Sequence, residues 1–179
     1  IETGKAYGVD FSAKCDYNHF YFYGVYSLGY VDRNDGNITY NPHYDRRHNV
    51  NLILTYSFGK NKSWEIDSRW NFGTGFPFTQ TQGYYGKINF SDINTDYVHT
   101  NESLGVIYSD LNAGRLPTYH RLDLSMKKKI ELSKNSKLEF NASVINLYNR
   151  SNIFYFDPIK NERVNQLPII PTFGFSLTF

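Results

Sequence analysis

The C-terminal stretch Pro168–Phe179 reads PIIPTFGFSLTF and alternates between two kinds of side chain. Every second residue from Ile169 to Phe179 is apolar, and apart from Ile170 the residues between them are small or polar. This period of two is that of a β-strand with one apolar and one polar face. Such a strand suits a membrane barrel, with hydrocarbon outside and a wet lumen inside. It also suits a soluble sandwich that turns its apolar face toward a core, so the stretch alone leaves both folds open.

The composition of the whole chain favours strands. Aromatic residues make up 18% of the 179 residues, with 16 Tyr and 14 Phe, and these are residues that β-sheets favour. No window approaches the ~20 consecutive apolar residues of a transmembrane helix. A membrane barrel is not excluded by this, because only alternate residues of its strands face lipid.

Charge and cysteine content exclude other classes. The formal net charge is +2, with acids and bases interspersed, so we expect no nucleic-acid partner. The single cysteine, Cys15, cannot form a disulfide within the chain. No signal peptide precedes Ile1, and the first residue is not methionine. We therefore expect the chain to be a segment of a longer protein.

The same alternation predicts six strands before the terminal one. They cover residues 5–15, 19–31, 47–58, 64–72, 119–130 and 137–148. In 19–31 aromatic residues occupy both parities, so the lipid-facing side of that strand stays unassigned. The predicted strands have about the ~9 to 11 residues that cross a bilayer at a tilt, more than the ~5 to 6 of a typical globular strand.

The connections between these strands alternate in length. Short turns are predicted at Asp16, Gly59 and Ser133, and long loops at about 32–46, 73–116 and 149–167. Short turns on one rim and long loops on the other are typical of outer-membrane barrels, whereas a soluble sandwich has no reason to keep that order. The sequence therefore predicts an all-β, antiparallel transmembrane barrel. Its short turns lie on the periplasmic side, which places Phe179 at the periplasmic rim.

The predicted number of strands is odd, whereas bacterial single-chain barrels have an even number. An open sheet in lipid would also leave unpaired edges, at several kcal/mol for each unsatisfied backbone group. We therefore expect this chain to be the C-terminal part of a larger barrel, with further strands upstream of Ile1.

Four motifs at the strand and loop boundaries are similar to those of a known family. They are YDRRH at 44–48, TGFPFT at 74–79, NAGRLPTYHRLDLS at 112–125 and NLYNRSN at 146–152. Together with the terminal aromatic strand, they resemble the C-terminal barrel strands of TonB-dependent outer-membrane receptors, particularly those of Bacteroidota. The resemblance implies a 22-stranded barrel with a plugged lumen. Residues 1–179 would supply about its last seven strands, and Phe179 matches the family's assembly signal.

The resemblance also implies a function and partners. These receptors import a scarce nutrient, such as a siderophore, cobalamin, an oligosaccharide or a peptide, across the cell outer membrane. The implied partners are outer-membrane lipid, the remaining barrel strands and plug domain of the same receptor, and the TonB complex. A surface lipoprotein is a further candidate partner. The alternative is a receptor-like barrel that is a structural subunit of a larger secretion or surface-capture complex.

Charged residues cluster near the predicted outer ends of the third and fifth strands. We call them the rim residues: Asp45, Arg46, Arg47, Arg115, Arg121 and Asp123. Guanidinium and carboxylate groups could bond bidentately here and fix the bases of the loops. The other interpretation is that these charges stabilise the barrel rim and contact no substrate.

The longest loop, 73–116, is the best candidate for contact with an external ligand, because the long outer loops of barrels carry recognition. Its aromatic residues lie among Asn, Asp, Gly and Ser, a mixture suited to stacking on sugars or aromatic chelators. The candidates are Tyr84, Tyr85, Phe90, Tyr97 and Tyr108. The loop could instead only pack against its neighbours or a surface lipoprotein.

No enzymatic or metal-binding pattern emerges. His120 has the parity opposite to Asp123 and Ser125, so these residues should not converge as a hydrolytic triad. His43 and His48 flank Asp45 without a recognised metal-ligand spacing. We therefore predict neither catalysis nor a bound metal or cofactor.

Overall fold

The structure is a computed structural model that describes residues 2–86, 104–133, 136–157, 160 and 162–179. The described chain is built of antiparallel strands and the 3-10 turn Lys60–Lys62. The predicted all-β, antiparallel class is therefore confirmed. In the part that the structure describes, no helix has the length and hydrophobicity needed to cross a membrane.

The strands differ widely in length, and the long ones form one sheet. In chain order they are β1 (Thr3–Tyr17), β2 (Phe20–Asn34), β3 (Thr39–Tyr40), β4 (His48–Phe58), β5 (Trp64–Gly73), β6 (Pro77–Phe78), β7 (Thr81–Gly86), β8 (Leu104–Tyr108), β9 (Gly114–Arg115), β10 (Tyr119–Ser133), β11 (Ser136–Ile145), β12 (Ile153–Asp157), β13 (Glu162–Asn165) and β14 (Ile170–Thr178). The main sheet has the order β1-β2-β4-β5-β10-β11-β14, with β3 added to β2. It is an open sheet, with β1 and β14 at its two edges.

The main sheet has two different ends. At one end, which we call the turn edge, β1 is followed closely by β2, β4 by β5, and β10 by β11. At the other end, the loop edge, the long connections leave β2, β5 and β11. This separation of short and long connections agrees with the order read from the sequence.

Strand register gives the main sheet one apolar and one polar face. One row of paired residues crosses all seven strands and is apolar throughout: Tyr17, Phe20, Tyr56, Ile66, Met126, Ala142 and Phe173. The adjacent row points the other way because successive strand residues face opposite sides. It reads Asp16, Tyr21, Thr55, Asp67, Ser125, Ser143 and Thr172. The pairing also assigns β2, which the sequence left open: Phe20 lies on the apolar face and Tyr21 on the polar face.

Polar side chains bond to one another across the polar face. Lys127 donates to Glu65 at 3.0 Å, and Lys129 lies 3.6 Å from the same carboxylate. Thr55 donates to Asp67 at 2.6 Å, and Ser125 donates to the second oxygen of Asp67 at 3.3 Å. These contacts link β4, β5 and β10 side by side.

The apolar face is not covered. Among the described residues no hydrophobic side chain is buried, and Phe173 and Phe175 are 84% and 80% exposed. The described chain therefore has no hydrophobic core of the kind that a soluble sandwich forms between two sheets.

The structure extends three predicted strands and shortens one: β1, β2 and β10 run beyond the predicted ranges 5–15, 19–31 and 119–130. The strand predicted over 137–148 ends at Ile145, because Asn146 turns the chain with a left-handed φ of 54°. The three long loops are also not wholly irregular. They contain β3, the β6–β9 and β7–β8 pairs, and the β12–β13 pair.

Candidate functional site

The carboxylate of Asp45 joins the bases of two long connections. Asp45 is 1% exposed, and it pairs with Arg115, which also donates to the Asp45 carbonyl oxygen at 3.1 Å. Arg47 approaches the same carboxylate with its Nε 3.6 Å from Oδ2. The backbone N–H of Val31 donates to the other oxygen at 3.2 Å. Since Arg115 also donates to the Gly75 carbonyl at 3.3 Å, this cluster links the segment before β4 to both ends of the 73–116 connection.

Arg46 points away from that cluster and packs among aromatic rings. Its guanidinium carbon lies 4.2 Å from the Phe76 ring centroid and 5.4 Å from that of Tyr119. Its Nε donates to the Thr74 carbonyl oxygen at 3.2 Å. Gly73 makes this position possible, because a Cβ there would lie 2.6 Å from the guanidinium carbon. Burial is the main influence on the pKa of Arg46 and lowers it, whereas Tyr119 acts in the opposite direction.

The other two rim residues belong to a separate arrangement. Arg121 donates through Nε and Nη2 to one oxygen of Asp123, at 3.1 and 2.9 Å. The second oxygen of Asp123 accepts the backbone N–H of Asn146 at 3.0 Å. This pair lies within β10 rather than across two strands. The rim residues therefore form two groups, one of Asp45, Arg47 and Arg115 and one of Arg121 and Asp123, and Arg46 belongs to neither.

Two buried asparagines hold the connection between β11 and β14. Asn146 is 0% exposed and donates to the carbonyls of Arg150 and Leu167, at 3.0 and 3.1 Å. Asn152 is 3% exposed, and its side chain bonds the backbone N–H and carbonyl of His120 at 3.2 and 2.9 Å. The sequence contains both residues in NLYNRSN, but side-chain bonding to distant backbone leaves no periodic signal.

A cavity of about 450 Å³ opens between these loop bases; we call it the loop-edge cavity. Its walls come from the segment before β4, from the 73–116 connection, from the start of β10 and from β12. The walls are mainly aromatic, and Arg46 is their charged group. The aromatic lining residues include Tyr44, Phe76, Phe78, Tyr108, Tyr119, Phe154, Tyr155 and Phe156. A concave, largely apolar site of this size with few polar groups is typical of small-molecule sites.

The structure separates the five aromatic candidates of the 73–116 loop. Tyr108 lines the loop-edge cavity. Tyr84 and Tyr85 lie on β7, which pairs with β8, and neither is among the residues that line the cavity. Phe90 and Tyr97 lie outside the described residues.

Most of the cavity walls were missed from the sequence. Phe76 and Phe78 stand within the TGFPFT motif, so the motif itself was a signal, but the predicted ligand contacts lie in the interior of the loop. The β12 aromatics lie in another connection, and sequence patterns do not show which loops fold together.

The residues considered for catalysis and metal binding have other partners. His120 Nδ1 lies 2.7 Å from the Tyr148 hydroxyl on the apolar face, while Asp123 and Ser125 lie on the polar face. His48 Nδ1 lies 2.9 Å from the Tyr26 hydroxyl. Among the described residues, no group of three or more His, Cys, Asp or Glu side chains could hold a metal ion.

Phe179 follows β14 at the turn edge and is 89% exposed. Its predicted role in assembly stays a prediction. Comparison with protein-family models, with curated proteins and with solved structures found no match to this chain.

Proposed function

We propose that this chain forms part of the wall and outer loops of a TonB-dependent outer-membrane receptor that imports a scarce nutrient. The observation that carries the proposal is a sheet with one continuous apolar face and no buried hydrophobic side chain among the described residues. Large exposed apolar surfaces mark sites of contact with membrane or protein. An apolar face that spans seven strands suits the hydrocarbon layer of a bilayer.

Strand dimensions support the same environment. β4 has 11 residues, which at ~3.3 Å per residue corresponds to a length of about 36 Å. At a tilt of ~45° this covers a height of about 25 Å, the height of the apolar band on outer-membrane barrels.

Side chains at the two ends of the apolar face suit the membrane interfaces. At the turn edge, the Lys128 ammonium lies 4.4 Å from the Trp64 ring centroid and donates to Ser63 at 3.2 Å. At the loop edge, Tyr26 and Tyr148 each bond a histidine through the hydroxyl. Aromatic residues with a polar tip are enriched at both interfaces of membrane proteins.

The two edges of the sheet support membership in a larger barrel. β1 and β14 each pair on one side with a described strand. In lipid their outer backbone groups would require partners, since an open edge is not tolerated there. The four sequence motifs support assignment of that larger barrel to the TonB-dependent receptors, which have 22 strands.

The test is uptake by the complete protein in cells. A strain that depends on it is grown with iron chelates, cobalamin or oligosaccharides as the limiting nutrient. Deletion of the TonB-binding segment should abolish growth on one of these nutrients while the barrel still assembles. An assembled protein that co-purifies in fixed stoichiometry with other outer-membrane proteins, with no uptake defect on deletion, would instead identify a structural subunit.

A further inference from the structure

We propose that the loop-edge cavity binds a small aromatic carboxylic acid, with the carboxylate on Arg46 and the ring against the aromatic walls. The proposal deepens the proposed function, because it names the ligand class that a receptor would recognise at this place. The geometry that supports it lies entirely within the described residues.

The first argument is that the charge of Arg46 is uncompensated. Among the described residues, no carboxylate forms an ion pair with Arg46, since the nearby Asp45 is paired with Arg115 and Arg47. Two arginines therefore share the Asp45 carboxylate, and Arg46 has no described carboxylate of its own. A partly buried guanidinium without a counter-ion favours an anion at the site, because opposite charge offsets the cost of desolvation.

The second argument is the geometry of the guanidinium. Its central carbon lies close to the ring of Phe76 and, at a longer distance, to that of Tyr119, and its Nε donates to the Thr74 carbonyl oxygen. The described hydrogen bonds leave the two terminal nitrogens available. A guanidinium fork whose orientation is already set suits the two oxygens of a carboxylate, which it can bind bidentately.

The third argument is the lining of the remaining cavity. Aromatic rings from separate segments face the same space, and two neighbouring pairs already meet edge to face. The His43 and Tyr44 centroids lie 5.3 Å apart at 83°, and those of Phe154 and Tyr155 lie 5.5 Å apart at 69°. Such walls offer stacked and edge-on contacts to a planar ring. A volume of about 450 Å³ admits a one- or two-ring acid.

The experiment compares two probes that differ in charge and not in shape. Binding of 2-naphthoate and of its neutral amide, 2-naphthamide, to the complete protein in detergent is measured by titration calorimetry. We expect naphthoate to bind about tenfold more tightly, since a charge-assisted bidentate contact is replaced by a neutral one. Arg46→Gln should remove this preference. Arg69→Gln, which changes an exposed arginine on β5 that does not line the cavity, should leave it unchanged.

Several outcomes would overturn the proposal. Equal binding of the two probes to the native protein refutes the role of charge, and this result does not depend on whether Arg46→Gln folds. Displacement of naphthoate by equimolar inorganic phosphate would show that the site binds anions without recognising the aromatic ring. An unchanged preference in a folded Arg46→Gln variant would place the site elsewhere. Binding is measured without transport. Selective binding of naphthoate would therefore stand even if TonB-dependent uptake is not found, and uptake could be found even if naphthoate does not bind.

Discussion

Leu124→Arg tests the central claim that the apolar face of the main sheet contacts lipid. Leu124 lies on this face of β10, where it pairs with Ser68 on β5 and Val144 on β11. It is 36% exposed, so an arginine there would project from the sheet rather than into another layer of protein. The substitution therefore places a guanidinium in hydrocarbon if the proposal is right, and in water if it is wrong.

The depth of Leu124 in the bilayer determines how much free energy Leu124→Arg should cost. Leu124 lies five residues after Tyr119, the first residue of β10, or about 17 Å along the strand. At a tilt of ~45° this is about 12 Å in height, close to the middle of a ~25 Å apolar band. An arginine at the midplane of a barrel costs ~2 to 4 kcal/mol, and one near the interface costs ~0 to 1 kcal/mol.

The assay is the free energy of folding of the complete protein into lipid vesicles, measured by urea titration. Ile130→Arg is the depth control, because Ile130 lies on the same face next to the turn edge, where it pairs with Leu138 on β11. Asn51→Arg is the face control, since Asn51 lies on the polar face of β4 and pairs with Val25 and Asn71. We expect a large loss for Leu124→Arg and small effects for both controls. Equal losses at Leu124 and Asn51 would refute the assignment of the lipid face.

Two further predictions concern the loop bases. Asp45→Asn should destabilise the folded protein by ~1 to 3 kcal/mol. This loss is smaller than that expected for a fully buried ion pair, because Arg115 is partly exposed. Thermal unfolding measures the change. Asp35→Asn is its control, because the acceptor oxygen for the Asn37 N–H is retained, and similar losses in both variants would contradict the role of the Asp45 charge. Asn146→Ala should expose the 149–167 connection to protease more than Asn146→Gly, since both lose the buried amide but only alanine resists a φ of 54°. Equal cleavage of the two would show that backbone strain contributes nothing there.

The long strands were predictable because each carries its own signal. In 47–58 every second residue from Val50 to Phe58 is apolar, and in 64–72 only Ser68 interrupts the same alternation. β4 and β5 begin and end within one residue of those bounds. The strand predicted over 137–148 ends three residues too late, because apolar Leu147 and aromatic Tyr148 follow Asn146 and hide the turn. The second strand could not be assigned a face, since Tyr21 and Tyr23 are as aromatic as their neighbours.

The candidate site was predictable only in part. Arg46 was named from its charge and its position beside a predicted strand, but the pattern could not distinguish it from Arg47. The structure does distinguish them, because Arg47 lies beside the Asp45 carboxylate whereas Arg46 stacks on Phe76.

The sequence by itself determined the seven long strands, the two faces of all of them but the second, and the order of short and long connections, because each of these follows from side chains a few positions apart. Tertiary structure alone decided which loops meet. Asp45 and Arg115 are separated by 70 positions, and the aromatic walls of the cavity come from connections that leave different strands. No local period encodes such contacts, since they arise only when pairing of the strands brings the loop bases together at one edge of the sheet.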